Sequence, residues 1–220
     1  MESVFYLGSA VAYGYTAYFD AHSGGPSPLG PDAPLVTKLL TLTYLDLMVQ
    51  LFYSILGLFR PNDTARRIHD ALHVSLALPL GWAVVALFWG LYALDPKLVV
   101  PQRQLTFLSV VWFNHMLHTA PFVLQLVDTA VFPHKAPSVK RAVGIIFFFS
   151  CLYMAMLFVC FFTTGVWIYP VLDLLGHHSL RLLFILACMS LLTLMYALGR
   201  LISNTVAGEG KEKERKKKVK

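Results

Sequence analysis

Residues 142–164 read AVGIIFFFSCLYMAMLFVCFFTT, a run without one charged side chain. As an α-helix rising about 1.5 Å per residue, it exceeds the roughly 30 Å of hydrocarbon in a bilayer. A soluble domain would have to bury every face of such a helix, and the rest of the chain has little polar material to do so. Apolar residues make up 57% of the 220 and charged ones 14%, against about half and a quarter in soluble proteins. The stretch therefore predicts a transmembrane helix.

Comparable runs cover residues 39–59, 71–94, 105–132 and 180–203. A shorter one, 4–19, carries Tyr6, Tyr13, Tyr15 and Tyr18 and has no basic segment before it, so it reads as a first span and not as a cleaved signal. The expectation is an all-α membrane protein, a bundle of about six transmembrane helices over residues 1–204. A basic tail, 205–220, is too polar to fold alone. The Gly, Pro and Ser of residues 20–34 predict a loop between the first two spans. Cys151, Cys160 and Cys188 fall inside spans, where a thiol acts as a small apolar group.

Of the 18 lysines and arginines, Lys38, Lys97, Arg103 and Arg181 fall on one side of a six-span chain, and the other fourteen on the opposite side. Basic loops stay in the cytoplasm, so both termini are expected there. Lys217 and Lys218 stand in the position of a dilysine signal that returns membrane proteins to the endoplasmic reticulum. The plasma membrane is the alternative location. The basic run accompanies no folded basic face, which argues against nucleic-acid binding and for contact with anionic lipid.

Ionisable groups in hydrocarbon are costly and normally face the bundle interior. In the second span Thr43, Asp46, Gln50 and Ser54 share one helical face; in the fourth, Asn114, His118, Gln125 and Asp128 do so, with His115 and Thr119 beside them. Both stripes are expected to face inward on parallel helices. A threonine hydroxyl is a poor nucleophile unless a base takes its proton, and imidazole suits that task. Thr43 with His118 or His115 supplies the pair, and Asp46 or Asn114 an orienting group. The spacing of His115 and His118 also allows a metal, but the spans hold no glutamate and too few carboxylates for a di-iron bundle, so no metal or organic cofactor is expected.

The segments LTLTYLDL (40–47), WFNHMLHT (112–119) and GVWIYP (165–170) resemble the androgen-induced gene family, which includes the androgen-dependent TFPI-regulating proteins. LPLG (78–81), the Phe88, Trp89, Tyr92 and Asp95 set, and YALG (196–199) add to the likeness, which runs from the second span to the last. The resemblance implies a six-span hydrolase of fatty acid esters of hydroxy fatty acids, with Thr43 as nucleophile and His118 as general base. Asn114 or Tyr169 are candidate oxyanion donors, and Lys38, Lys97, Arg103 and Arg181 candidate partners for the substrate carboxylate. The partner it implies is a lipid arriving from the bilayer. The alternative is a non-enzymatic multi-pass scaffold or regulator whose polar stripes only join helices.

One geometric difficulty accompanies this reading. With spans starting at residues 39 and 105, Thr43 is about 6 Å deep and His118 about 20 Å deep at 1.5 Å per residue. A later start to the fourth span or a tilt is needed to bring them level.

Two outcomes follow from the charge pattern. Asn62-Asp63-Thr64 is a glycosylation sequon in an expected cytoplasmic loop, so Asn62 stays bare when the protein is made in microsomes; a glycosidase-sensitive mass shift on Asn62 would reverse the orientation. Replacing Lys217 and Lys218 with serine moves the protein from the endoplasmic reticulum to later membranes, as read by imaging.

Overall fold

The computed structural model describes residues 1–23, 27–30, 33–99 and 109–218, with side chains through residue 206. Among these residues there is no strand, only an isolated bridge between Ser27 and Gly30. The chain forms α1 (Glu2–His22), α2 (Leu42–Leu58), α3 (Asp63–Leu72), α4 (Leu78–Leu94), α5 (Val111–His118), α6 (Ala120–Val131), α7 (Val139–Thr164), α8 (Pro170–Leu174) and α9 (His178–Lys218). Asp63–Leu94, Val139–Thr164 and His178–Val206 are long and apolar enough to cross a membrane. Phe147, Phe148, Leu152, Val159, Phe162, Leu183 and Leu194 stand exposed on the last two. In water that surface would be intolerable, and in lipid it is the expected exterior of an integral membrane protein.

Helix α1 packs along α2 and buries Tyr6, Ser9, Tyr13, Thr16 and Asp20 on one stripe, so it belongs to the bundle. The close approach depends on Gly57: a Cβ there would lie 2.5 Å from the Tyr6 ring. Asn62 caps α3 by accepting from the Ala65 N–H at 2.9 Å, which starts the third helix eight residues before the expected residue 71. Pro79 has no N–H for the Ser75 carbonyl, and its ring crowds that carbonyl. The π-helical turn His73–Ala77 lies just upstream and absorbs the mismatch without ending the helix.

The fourth span departs most from the sequence reading. It is not one helix: Pro121 breaks it at Thr119, leaving α5 and α6 as two pieces. The freed carbonyl of His118 accepts from the Trp89 Nε1–H at 2.6 Å. In hydrocarbon such a break survives only where a neighbouring helix supplies the missing donor. At the far end, α9 continues through the basic tail to Lys218 instead of stopping at the span. The tail adds residues of good helix propensity to a helix already nucleated, so the costly first turn is avoided.

The centre of the bundle is polar. Gln50 Nε2 donates to Asp46 Oδ1 and to the Ala77 carbonyl, each at 2.8 Å, while its Oε1 accepts from Gln125 Nε2 at 2.6 Å. Gly81 makes room for this knot, since a Cβ there would lie 2.7 Å from Gln50 Nε2 and 3.0 Å from Pro121. Gly81→Val is expected to destabilise the protein by about 1–3 kcal/mol through overpacking. Gly90→Ala, whose Cβ meets nothing within 4 Å, is expected to be neutral or stabilising. Thermal unfolding in detergent checks both, and equal midpoints for the two variants would contradict the packing.

Candidate active site

Thr41 ends the 3-10 helix Leu35–Leu40 and caps α2, its hydroxyl accepting from the Tyr44 N–H at 3.2 Å. Thr43 therefore sits in the first turn of α2, and His118 is the last residue of α5, directly before the Pro121 break. The break and the capped start bring the two to one level. Thr43 Oγ1 lies 3.5 Å from His118 Nε2, a long contact of the kind that tightens when a substrate is bound.

Three more contacts fix the imidazole. Asn114 Oδ1 accepts from His118 Nδ1 at 2.8 Å, which places the ring proton on Nδ1 and leaves the Nε2 lone pair facing Thr43. The ring stacks on Phe88 with centroids 3.5 Å apart and planes 8° apart. Trp89 holds the backbone of the same residue. Thr43 hydroxyl, His118 imidazole and Asn114 amide thus stand in line, an arrangement that can pass a proton from hydroxyl to ring.

The other candidates separate cleanly. Asp46 is fully buried but turns to Gln50, not to the imidazole. His115 is exposed and faces Thr119 Oγ1 at 2.9 Å and the Trp89 ring. Tyr169 comes to the site from the far end of the chain. Gly165, at φ 73° in the left-handed region that glycine favours, ends α7 and turns the chain so that Tyr169 Oη accepts from the Leu42 N–H at 2.6 Å. Tyr169 then donates to Tyr153 Oη at 2.8 Å, and Tyr153 to the Leu40 carbonyl at 3.1 Å. Burial pushes the Tyr169 phenol up to about 12 despite its hydrogen bonds to Tyr153 and the α2 backbone, so it remains a proton donor at neutral pH. Tyr153 has no sequence signal, since a lone tyrosine in an apolar run carries no pattern.

Of the basic residues, Lys38 is buried and bound to Asp20, Nζ to Oδ2 at 2.7 Å. Arg181 donates to the Leu172 carbonyl at 2.7 Å and lies over the Trp167 ring at 5.2 Å, holding α8 in place. Lys97 is exposed on the 3-10 turn Pro96–Leu98. Arg103 lies outside the described residues.

Thr43 lines an apolar cavity of about 110 Å³ walled by α4, α7 and α9, with Phe88, Leu91, Tyr153, Leu157 and Ile185 among its surfaces. Val99, two residues from Lys97, and Leu172 of α8 also line it. Among the described residues, the strongly polar groups there come from Thr43, Ser150 and the tyrosine pair. A pocket with apolar walls and a few placed polar groups suits a ligand that is mostly hydrocarbon.

A family model described as FAR-17a/AIG1-like protein matches residues 1–204. The chain is 29% identical over 195 residues to the Androgen-induced gene 1 protein of Homo sapiens, with 80% of each chain covered. It is 28% identical over 190 residues to the Androgen-dependent TFPI-regulating protein of Homo sapiens, again covering 80% of each. The Rattus norvegicus protein of the latter name is 30% identical over 156 residues, 65% of this chain and 66% of that one. No solved structure matches.

Proposed function

The chain belongs to the FAR-17a/AIG1-like family, and from that premise we propose that it is a transmembrane threonine hydrolase cleaving the ester bond of fatty acid esters of hydroxy fatty acids. The observation that carries this reading is the Thr43–His118–Asn114 relay, whose Thr43 lines an apolar cavity. We place the enzyme in the endoplasmic reticulum membrane with both termini cytoplasmic, on the strength of the basic loops and the Lys217-Lys218 pair.

His118 Nε2 takes the Thr43 Oγ1 proton as the oxygen attacks the ester carbonyl carbon. The carbonyl oxygen becomes an oxyanion; Tyr169, which lines the same cavity, donates to it once its hydroxyl turns from Tyr153. Collapse breaks the bond to the alkoxide oxygen, which receives the proton from His118 and leaves as the free hydroxy fatty acid. His118 then takes a proton from water as it attacks the acyl-threonine, and returns that proton to Thr43 Oγ1 as the fatty acid departs. Asn114 holds the imidazolium through its Nδ1–H throughout. Phe88 stacked on the ring excludes water from that face. Among the described basic candidates, Lys97 is exposed and lies two residues from Val99 of the cavity lining, and it suits the substrate carboxylate.

The test is hydrolysis of a branched fatty acid ester by membranes holding equal amounts of each variant. Thr43→Ala and His118→Ala are each expected to lose at least about 10³-fold, with the double variant little worse than either, because the pair acts as a unit. Thr43→Ser retains part of the activity. Asn114→Ala loses on the order of 10–10³-fold, and His115→Ala loses less than His118→Ala. Full activity in Thr43→Ala would exclude the covalent route, and loss confined to His115→Ala would name a different base.

A further inference from the structure

A second concentration of ionisable side chains lies at the other end of α2, about 15 Å along the helix from Thr43 at 1.5 Å per residue, and the proposed hydrolysis does not use it. His69, Asp70, His73 and Asp128 are each no more than 2% exposed, and the His134 side chain is 1% exposed. They converge from α3, the π-helical turn, α6 and the loop before α7. Tyr6 donates to Asp128 Oδ1 at 2.9 Å, and Tyr53 donates to Asp128 Oδ2.

We propose that His73, Asp128 and His134 bind a divalent transition-metal ion of the zinc type. Their donor atoms lie within 4.8 Å of one another. His134 Nε2 is 3.1 Å from Asp128 Oδ1, and His73 Nδ1 is 3.6 Å from Asp128 Oδ2. Ligand atoms around a tetrahedral ion with bonds of about 2.0–2.2 Å stand roughly 3.3 Å apart. Two imidazoles and one carboxylate suit zinc or ferrous iron better than magnesium or calcium.

The hydrogen bonds around the cluster give the stronger argument. Thr129 Oγ1 donates its proton to the Gln125 carbonyl at 2.7 Å, so its 3.0 Å contact with His73 Nε2 requires that nitrogen to be the donor. The His73 proton is thereby on Nε2. His73 Nδ1 is then a bare lone pair, buried without a hydrogen-bond partner and facing a carboxylate oxygen that has no proton to give. Two lone pairs in that position repel unless a proton or a metal ion lies between them, and the 3.6 Å separation is long for a hydrogen bond and close to that of two ligands on one ion. On the other imidazole, His134 Nδ1 donates to Asp70 Oδ1 at 3.0 Å, and Asp70 Oδ2 accepts from the Lys135 N–H at 3.1 Å. A carboxylate on the far nitrogen is the usual support of a ligating histidine. The π-helical turn that begins at His73 sets the direction of that side chain, and such turns recur at functional positions.

The ion would join the π-helical turn between α3 and α4, α6 and the loop before α7, and its presence does not depend on the hydrolase reading. The experiment uses the full chain, purified in detergent with a tag free of histidine, incubated with zinc chloride, dialysed, and analysed for metal by mass spectrometry. About one equivalent per chain is expected, falling below about a tenth of that in His73→Ala and Asp128→Asn. His115→Ala, at the other end of the bundle, retains the full equivalent. Cobalt chloride on the wild-type chain is expected to give visible absorption of a four-coordinate site, abolished by zinc, and this measurement decides the matter if the variants do not fold. A wild-type chain that retains neither zinc nor cobalt overturns the proposal and leaves His134 as a protonated bridge between Asp70 and Asp128. Equal retention by folded His73→Ala overturns it as well, since the ion would then sit elsewhere.

Discussion

Hydrocarbon offers polar groups no water, so each buried polar side chain must find its partner on another helix. Between α2 and the fourth span that requirement is met at a constant offset. Thr43 meets His118, Gln50 meets Gln125, and Tyr53 meets Asp128, each pair 75 residues apart. Equal offsets mean that the two spans run parallel and in register. A slip of one residue would turn every pair off its face at once. The glycine contacts at Gly57 and Gly81 let the neighbouring helices close around this ladder.

The two helix irregularities sit beside the two polar centres. Pro121 ends α5 directly after His118, and Trp89 takes over the carbonyl that the break releases. Pro79 lies two residues beyond the π-helical turn that starts at His73. A regular helix would carry each histidine round by 100° per residue with no latitude. A proline-induced change of register gives a side chain a direction that spacing alone does not allow, at the expense of carbonyls that need outside donors.

The all-α class, the long apolar runs and the two polar stripes were legible because a 3.6-residue period is visible in any sequence that buries one face. The level pairing of Thr43 with His118 was not. Counting from residues 39 and 105 set them far apart in depth, whereas the helices start at Leu42 and, among the described residues, Val111. Asp46 and Asn114 were equivalent as orienting groups in sequence, and only the partner taken by each separates them. Lys38 reads as a free interfacial cation until Asp20 is seen beside it. His69, His73 and His134 left no pattern in the sequence, because their convergence depends on a π-helical turn and a loop, neither of which has a hydropathy period.

The cavity beside Thr43 is enclosed by helices whose outer faces are themselves apolar and exposed, Phe147, Phe148 and Leu183 among them. The lipid ligand proposed for it would arrive by lateral diffusion in two dimensions. The quantity that governs occupancy is then the mole fraction of ligand among the surrounding lipids, not its amount per volume of solution. Adding inert lipid at fixed protein and ligand dilutes the site's effective surroundings, and a membrane domain that gathers or excludes the ligand regulates occupancy without touching the protein.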